Sequence, residues 1–273
     1  MAVLNTETSI ENHPGNAQTD SGSGEHSVIF EHVDFVYPDG EEAVLKDISF
    51  SAKSGETVAF IGSTGSGKSS LIQLIPRFYD RASGNIYIDG QKIEDLDINA
   101  LRSKIGFVPQ KAHLFSGTIE ENIRFGKPDA TMDEIIHAAK IAQAYDFIME
   151  KPHQFQEQIV EGATNVSGGQ KQRLSIARAL IRKPEIYIYD DSFSALDFKT
   201  DARLRKALKP EIKNAIVFLV AQRVSTILDA DKIVVLDEGK IAGIGTHREL
   251  LASCPIYYEI AASQLSKEEL TYA

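Results

Sequence analysis

The segment Gly62-Ser63-Thr64-Gly65-Ser66-Gly67-Lys68-Ser69 constrains this chain more than any other. Its spacing, G-x-x-x-x-G-K-S, fits a loop whose backbone N–H groups close around a phosphate. The apolar run Thr57 to Ile61 ahead of it reads as a buried strand, and Ser69 to Leu74 behind it as the first turns of a helix, which are the flanks such a loop requires. Glycine allows the backbone to turn its amides inward, and the helix N-terminus adds partial positive charge. Lys68 then reaches the β- and γ-oxygens, and the Ser69 hydroxyl is placed to ligand Mg²⁺. Ser63, Thr64, Gly65, Ser66, Gly67 and the adjacent Ser70 complete the predicted nucleotide contacts. A glycine-rich turn with a solvated lysine is the bland alternative, and the flanking strand and helix disfavour it.

The chain, 273 residues with 42% hydrophobic content, is long enough for one large domain or two lobes. Its net charge of -10 and the absence of a Lys/Arg block argue against a nucleic-acid partner. One cysteine, Cys254, excludes an internal disulfide and a cysteine-rich metal site, and reads as a small apolar filler in a reducing compartment. The longest apolar run, Ala215 to Ala221, is too short to span a bilayer, so the chain is not expected to cross a membrane by itself.

Residues 1–27 are polar, lack apolar periodicity and read as a linker without fixed structure. Val28 to Tyr37 and Val44 to Phe50 read as strands around the turn Pro38-Asp39-Gly40, which puts an antiparallel layer ahead of the phosphate loop. Tyr37 is placed to stack on an adenine ring, with an ordinary strand tyrosine as the alternative. Strands are expected over Asn85 to Asp89 and Ile105 to Pro109, the latter ending at Gln110. There an amide is able to ligand Mg²⁺ or orient a water, and a loop glutamine is the bland reading. From Gly117 to Glu150 the pattern turns to short helices, with Thr131 as a cap.

Ser167-Gly168-Gly169-Gln170 opens a long helix with the apolar stripe Leu174, Ala177 and Ile181, and forms a second anion site at a helix N-terminus. The strand Ile186 to Tyr189 delivers Asp190 and Asp191 at its end, where Asp190 is suited to hold Mg²⁺ through water. Further strands are expected over Ile216 to Val220, Lys232 to Leu236 and Lys240 to Ile244, and Thr246 caps a helix running through Leu251. The order predicts an α/β fold: a P-loop, RecA-like core, an antiparallel β subdomain and an inserted helical subdomain carrying the Ser167 motif. The expected boundaries are 28–110 with 183–263 for core and β subdomain, 111–182 for the helical part and 264–273 for a tail.

From Val28 to about Ser263 these residues resemble the nucleotide-binding domain of an ABC transporter. Tyr37 matches the adenine-stacking aromatic, Gly62 to Ser69 the Walker A motif and Gln110 the Q-loop. Val166 to Gln170 match the signature, Asp190 the Walker B aspartate, and Ser194-Ala195-Leu196-Asp197 the D-loop. Leu114 to Ile123 look like the exporter branch, and Glu161 aligns with its X-loop glutamate. The resemblance implies an ATPase with ATP and Mg²⁺, transmembrane domains of the same transporter as partners, and work at the cytoplasmic face of the membrane. It also implies a head-to-tail dimer in which each ATP lies between one Walker A and the other subunit's signature.

The sequence departs from that family where the chemistry is done. Asp191 stands where the family has its catalytic glutamate, Gln222 where it has the switch histidine, and Phe193 where proline is usual. Shortening the carboxylate by one methylene shifts it by on the order of 1 Å, enough to cost roughly 100-fold in rate, and Gln222 carries no titratable charge. The pair resembles the degenerate subunit of heterodimeric multidrug-type exporters, with a second, non-identical nucleotide-binding domain as partner and very slow hydrolysis by the isolated domain. A soluble ABC-type switch outside transport and a homodimeric exporter with engineered changes are the rival readings.

Overall fold

The computed structural model describes residues 10, 12, 26–266, 268 and 270; most of the expected linker, residues 1–9, 11 and 13–25, lies outside them. The first elements are β1 (Ser27–Phe35), β2 (Leu45–Lys53), β3 (Thr57–Gly62), α1 (Lys68–Leu74), β4 (Ser83–Ile88) and β5 (Gln91–Lys92). Then come α2 (Ile98–Ser103), β6 (Ile105–Val108), β7 (Gly117–Thr118), α3 (Ile119–Arg124), α4 (Met132–Ile141), α5 (Tyr145–Met149) and β8 (Gln158–Ile159). The last are α6 (Gly168–Leu180), β9 (Ile186–Asp190), α7 (Phe198–Glu211), β10 (Ile216–Val220), β11 (Lys232–Asp237), β12 (Lys240–Gly245), α8 (His247–Ser253) and α9 (Pro255–Ala262).

The two long sheets follow from two kinds of strand pattern. β9 and β10 are buried at every position, as a strand covered on both faces must be. They lie at the heart of a sheet ordered β12-β11-β3-β10-β9-β6, in which all neighbours pair in parallel except β12. β1 instead alternates, burying Val28, Phe30, Val33 and Phe35, and belongs to the antiparallel sheet β2-β1-β4-β5. Between the sheets Phe50 packs on Phe30 at 4.6 Å and on Phe60 at 5.5 Å between ring centroids. Burying such a ring contributes roughly 1.5–3 kcal/mol. The opposite face of the central sheet is covered by the helical part, where Ile119, Ile135, Ile148 and Leu174 share a core with Tyr187 and Tyr189.

The expected α/β fold with an antiparallel layer and helical parts is the observed one. Ile216 to Val220 is reproduced residue for residue, and Thr131 and Thr246 both form capping boxes. Elsewhere the ends move. β1 begins at Ser27 and stops at Phe35, which leaves Tyr37 beyond the strand. α6 closes at Leu180, with Ile181 as its C-cap. Parallel pairing brings the carboxyl ends of β3, β6, β9 and β10 to one edge, and that edge carries Gly62, Gln110, Asp190 and Gln222. At the opposite end, Lys104 Nζ lies 2.8 Å from both Asp89 and Glu185, and His26 Nδ1 3.3 Å from both. A lysine thus already holds the cation position between the carboxylates of this His–Asp–Glu group.

Candidate functional site

The phosphate loop is built by left-handed glycines. Gly65 has φ +84° and Gly67 φ +96°, a region open to glycine at little cost. Gly67 is the N-cap of α1 and offers no side chain of its own, so the free amides of the first turn face the loop. Lys68 Nζ donates to Gly62 O (2.9 Å), Ser63 O (2.7 Å) and Ser66 Oγ (3.2 Å), which folds the ammonium back across its own loop. Burial pushes the Lys68 ammonium down in pKa, opposed by Asp191 and Asp190. An incoming phosphate would exchange neutral loop acceptors for charged ones, a stronger class of hydrogen bond.

Ser69 Oγ donates to Asp190 Oδ1 at 2.9 Å, so the helix and β9 present two hard oxygen donors side by side. Burial raises the Asp190 carboxyl, the Ser69 bond lowers it, Asp191 raises it further and Lys68 lowers it. A buried carboxylate beside a hydroxyl is the donor set a hard, oxygen-seeking divalent cation takes, and Mg²⁺ fits these residues. Gln110, expected to ligand Mg²⁺ or orient a water, donates from Nε2 to Asp191 Oδ2 at 3.1 Å, a bond that does not use its amide oxygen. Gln222 Nε2 donates to the same oxygen at 2.6 Å. Asp191 itself has φ +45°, a left-handed conformation that aspartate accepts more readily than most residues.

Tyr37 projects beside the loop, its hydroxyl 2.8 Å from Ser70 Oγ and its ring edge-on to Phe35 and Tyr79. Ser63, Thr64, Gly65, Ser66, Gly67, Lys68, Ser69 and Ser70 form one turn-and-helix unit, joined by Tyr37, Asp190, Asp191, Gln110 and Gln222 in a single cluster. The other predicted residues lie apart from it. Ser167 Oγ accepts from Gln170 N and Gln170 Oε1 accepts from Ser167 N, a capping box that leaves Gly168 and Gly169 bare at the start of α6. Space for a Cβ at Gly168 is open for 4 Å, so the backbone there is accessible. Asp197 caps α7 through Thr200 N at 2.9 Å. No hydrogen bond joins the Ser167 segment to the phosphate loop among the described residues.

Several residues of the site escaped sequence reasoning. Gln172 Nε2 donates to Pro109 O at 3.0 Å, tying α6 to the residue before Gln110. A signal existed: Gln172 stands four residues before Ile176 and seven before Ala179, a polar side chain on a buried face. Arg178 donates to His113 O and to Asn122, and lies over the Phe115 and Phe125 rings. Gln264, assigned to the tail, donates to Gln222 O at 2.9 Å and accepts from Val224 N at 2.8 Å. Nothing local in the sequence marks that contact.

A phosphate loop at the end of β3 on a parallel sheet, with a carboxylate pair at the end of β9 one strand beyond the intervening β10 and a second glycine-opened helix, defines a P-loop nucleotide-binding domain. Residues 45–194 match the family described as ABC transporter. The chain is 47% identical over 241 residues to the uncharacterized ABC transporter ATP-binding protein YfiB of Bacillus subtilis (strain 168), covering 88% of this chain and 42% of that protein. It is 48% identical over 237 residues to a Staphylococcus aureus (strain NCTC 8325 / PS 47) protein named "Putative multidrug export ATP-binding/permease protein", covering 87% and 41% respectively. Among solved structures, a bacterial Atm1-family ABC exporter with ATP bound superposes with TM-score 0.90 at 35% identity, over 97% of this chain and 46% of that one. The chain belongs to the ABC transporter family and has the fold of its ATPase domain. It spans under half the length of the curated relatives it matches.

Proposed function

We propose that this chain is the ATP-binding domain of a multidrug-type ABC exporter, with a degenerate nucleotide site of its own, working beside a non-identical second nucleotide-binding domain. The observation that carries this reading is the engagement of Asp191 Oδ2 by Gln222 and Gln110. A carboxylate that accepts two amide hydrogen bonds is a weaker base toward an attacking water, and Gln222 brings no proton-transfer group to replace a histidine. The site built on Lys68 therefore holds Mg·ATP and turns it over slowly, with Ser69 and Asp190 holding the cation and Tyr37 stacking on the base. When bound, Mg²⁺ supplies charge neutralisation between the phosphate oxygens.

Ser167, Gly168 and Gly169 stand apart from the local phosphate loop, which suits contact with a nucleotide on another subunit. In that role they face the partner's γ-phosphate, where transition-state charge is stabilised. Among the described residues no helix is long and apolar enough to cross a membrane. The membrane-spanning domains belong, on this reading, to the remainder of the transporter, with this domain at the cytoplasmic face. The proposed division is a core and β subdomain over 28–110 and 183–263, a helical subdomain over 111–182, a preceding linker and a short tail.

Single-turnover ATP hydrolysis by the reconstituted pair tests the assignment, with Ser167→Arg and Lys68→Ala made separately. Ser167→Arg is expected to nearly abolish turnover, and Lys68→Ala to spare most of it. The reverse pattern would place hydrolysis at this chain's own loop and overturn the proposal.

A further inference from the structure

A cleft of about 460 Å³ opens between α7 and the face of the central sheet at β9 and β10, reaching Thr57 at the start of β3, away from the phosphate loop. Its size falls within the roughly 300–1,000 Å³ typical of small-molecule sites. Phe193, Leu208, Val217 and Leu219, all buried, give it apolar walls. Tyr189 belongs to its floor, and the Tyr189 hydroxyl is buried with no hydrogen-bond partner. Burial holds the Tyr189 phenol well above its ordinary pKa, so it stays a protonated donor. A buried polar group without a partner is destabilising, so a ligand that brings an oxygen there relieves a deficit already present in the fold.

The rim carries charge of the opposite sign to the chain as a whole. Lys206, Lys209 and Lys213 are exposed along the α7 side and have no side-chain hydrogen bond or ion pair among the described residues, whereas Arg205 is paired with Asp201 at 3.1 Å. Two acids also line the cleft, Asp229 and Asp231, and Asp231 accepts from Thr57 N at 2.8 Å. In a chain of net charge -10, a lysine row above an apolar cleft is a local reversal that selects anions. We propose that this cleft binds a small amphipathic organic anion, with its carboxylate at the Lys206–Lys209 rim, its apolar body against Phe193 and Leu208, and a hydrogen-bonding oxygen at Tyr189.

Calorimetric titration of the purified chain with octanoate, ω-hydroxyoctanoate and octanol tests this site. Octanoate should bind saturably, octanol at least about tenfold more weakly, and ω-hydroxyoctanoate about fivefold more tightly than octanoate, the worth of one net hydrogen bond. The ω-hydroxyl advantage should vanish in Tyr189→Phe. Lys206→Glu with Lys209→Glu should weaken both anions about tenfold while leaving octanol unchanged, as loss of close charge pairing predicts. Ala202→Trp, at an exposed position lining the cleft, should close it to all three probes. Thermal unfolding checks that each variant is folded, and if Tyr189→Phe is not, the two surface variants decide. Absence of saturable binding at millimolar probe, equal binding of octanol and octanoate, or binding indifferent to Ala202→Trp overturns the proposal.

Discussion

Gln222 donates its side-chain amide to Asp191 Oδ2 at 2.6 Å, the shorter of two amide bonds to that oxygen. The backbone of Asp191 sits in the left-handed region at the same place. Geometry and conformation thus both hold the carboxylate in a fixed position at the end of β9, with two amides on one of its oxygens.

If the carboxylate is not acting as a base, Asp191→Asn should change hydrolysis at the Lys68 site by less than about tenfold, far below the 10²–10⁴ typical for loss of a general base. Asp191→Glu combined with Gln222→His should raise it by at least about tenfold. Asp191→Glu alone should gain less, because Glu is not among the residues enriched in the left-handed region. Single-turnover phosphate release measures all three.

The ring and the hydroxyl of Tyr37 can be tested separately. Its ring is the predicted stacking platform, and its hydroxyl meets Ser70 Oγ at 2.8 Å. Tyr37→Ala should weaken ATP binding by roughly 1–3 kcal/mol, the range for bases stacked on aromatics. Tyr37→Phe should keep the affinity and instead lower stability by about 0.5–1.5 kcal/mol, the net worth of one hydrogen bond. Nucleotide titration together with denaturant unfolding separates the two.

Two glycines of one loop should respond differently to alanine. At Gly62 a Cβ would lie 2.0 Å from Leu236 O, a backbone atom that cannot yield. At Gly65 nothing lies within 4 Å, and only the left-handed φ of +84° is penalised. Gly65→Ala should therefore cost about 1–2 kcal/mol, while Gly62→Ala should exceed about 4 kcal/mol, the range of severe core disruption. Urea midpoints of the two variants check the contrast.

Burial lowers the His247 imidazole below its ordinary 6.5, and its Nε2 finds no partner. In the unfolded chain the ring titrates near 6.5, so as pH falls through that value the unfolded state binds the proton first. The stability owed to a neutral His247 is complete above that pH and is lost as acid is added. The unfolding midpoint should fall between pH 7 and pH 5 more steeply for the native chain than for His247→Phe. Parallel slopes in the two would refute the expectation.

Strand composition made β9, β10 and β11 legible because fully buried parallel strands read as unbroken apolar runs bounded by turns. The phosphate loop was legible for another reason, since its function resides in backbone geometry that only glycine supplies. α7 was not read at all. Its apolar residues are few, with Leu204 and Leu208 the only hydrophobic side chains it buries, and Pro210 lies within its last turn. The Gln222–Gln264 contact was equally hidden, because it joins residues 42 apart whose proximity depends on how α9 docks. Gln110 was legible as a site residue from its place at the carboxyl end of a strand, but its bond to Asp191 was not, because that depends on where β6 and β9 end side by side.

The side chains that fasten α6 address main chain almost throughout. Gln172 reads Pro109 O, Arg173 reads Gln143 O, Arg178 reads His113 O and Asn122 O, and Arg182, just past the helix end, reads Arg102 O and Ser103 O. A carbonyl oxygen is present whatever the residue that owns it. The helix is therefore anchored to positions rather than to amino-acid types, and the loops and helix ends on the other side of these bonds are free to change their side chains without releasing it. Mutational tolerance should thus be lopsided, narrow along the donor helix and broad along the segments it holds, Asn122 excepted because Arg178 also bonds its side-chain oxygen.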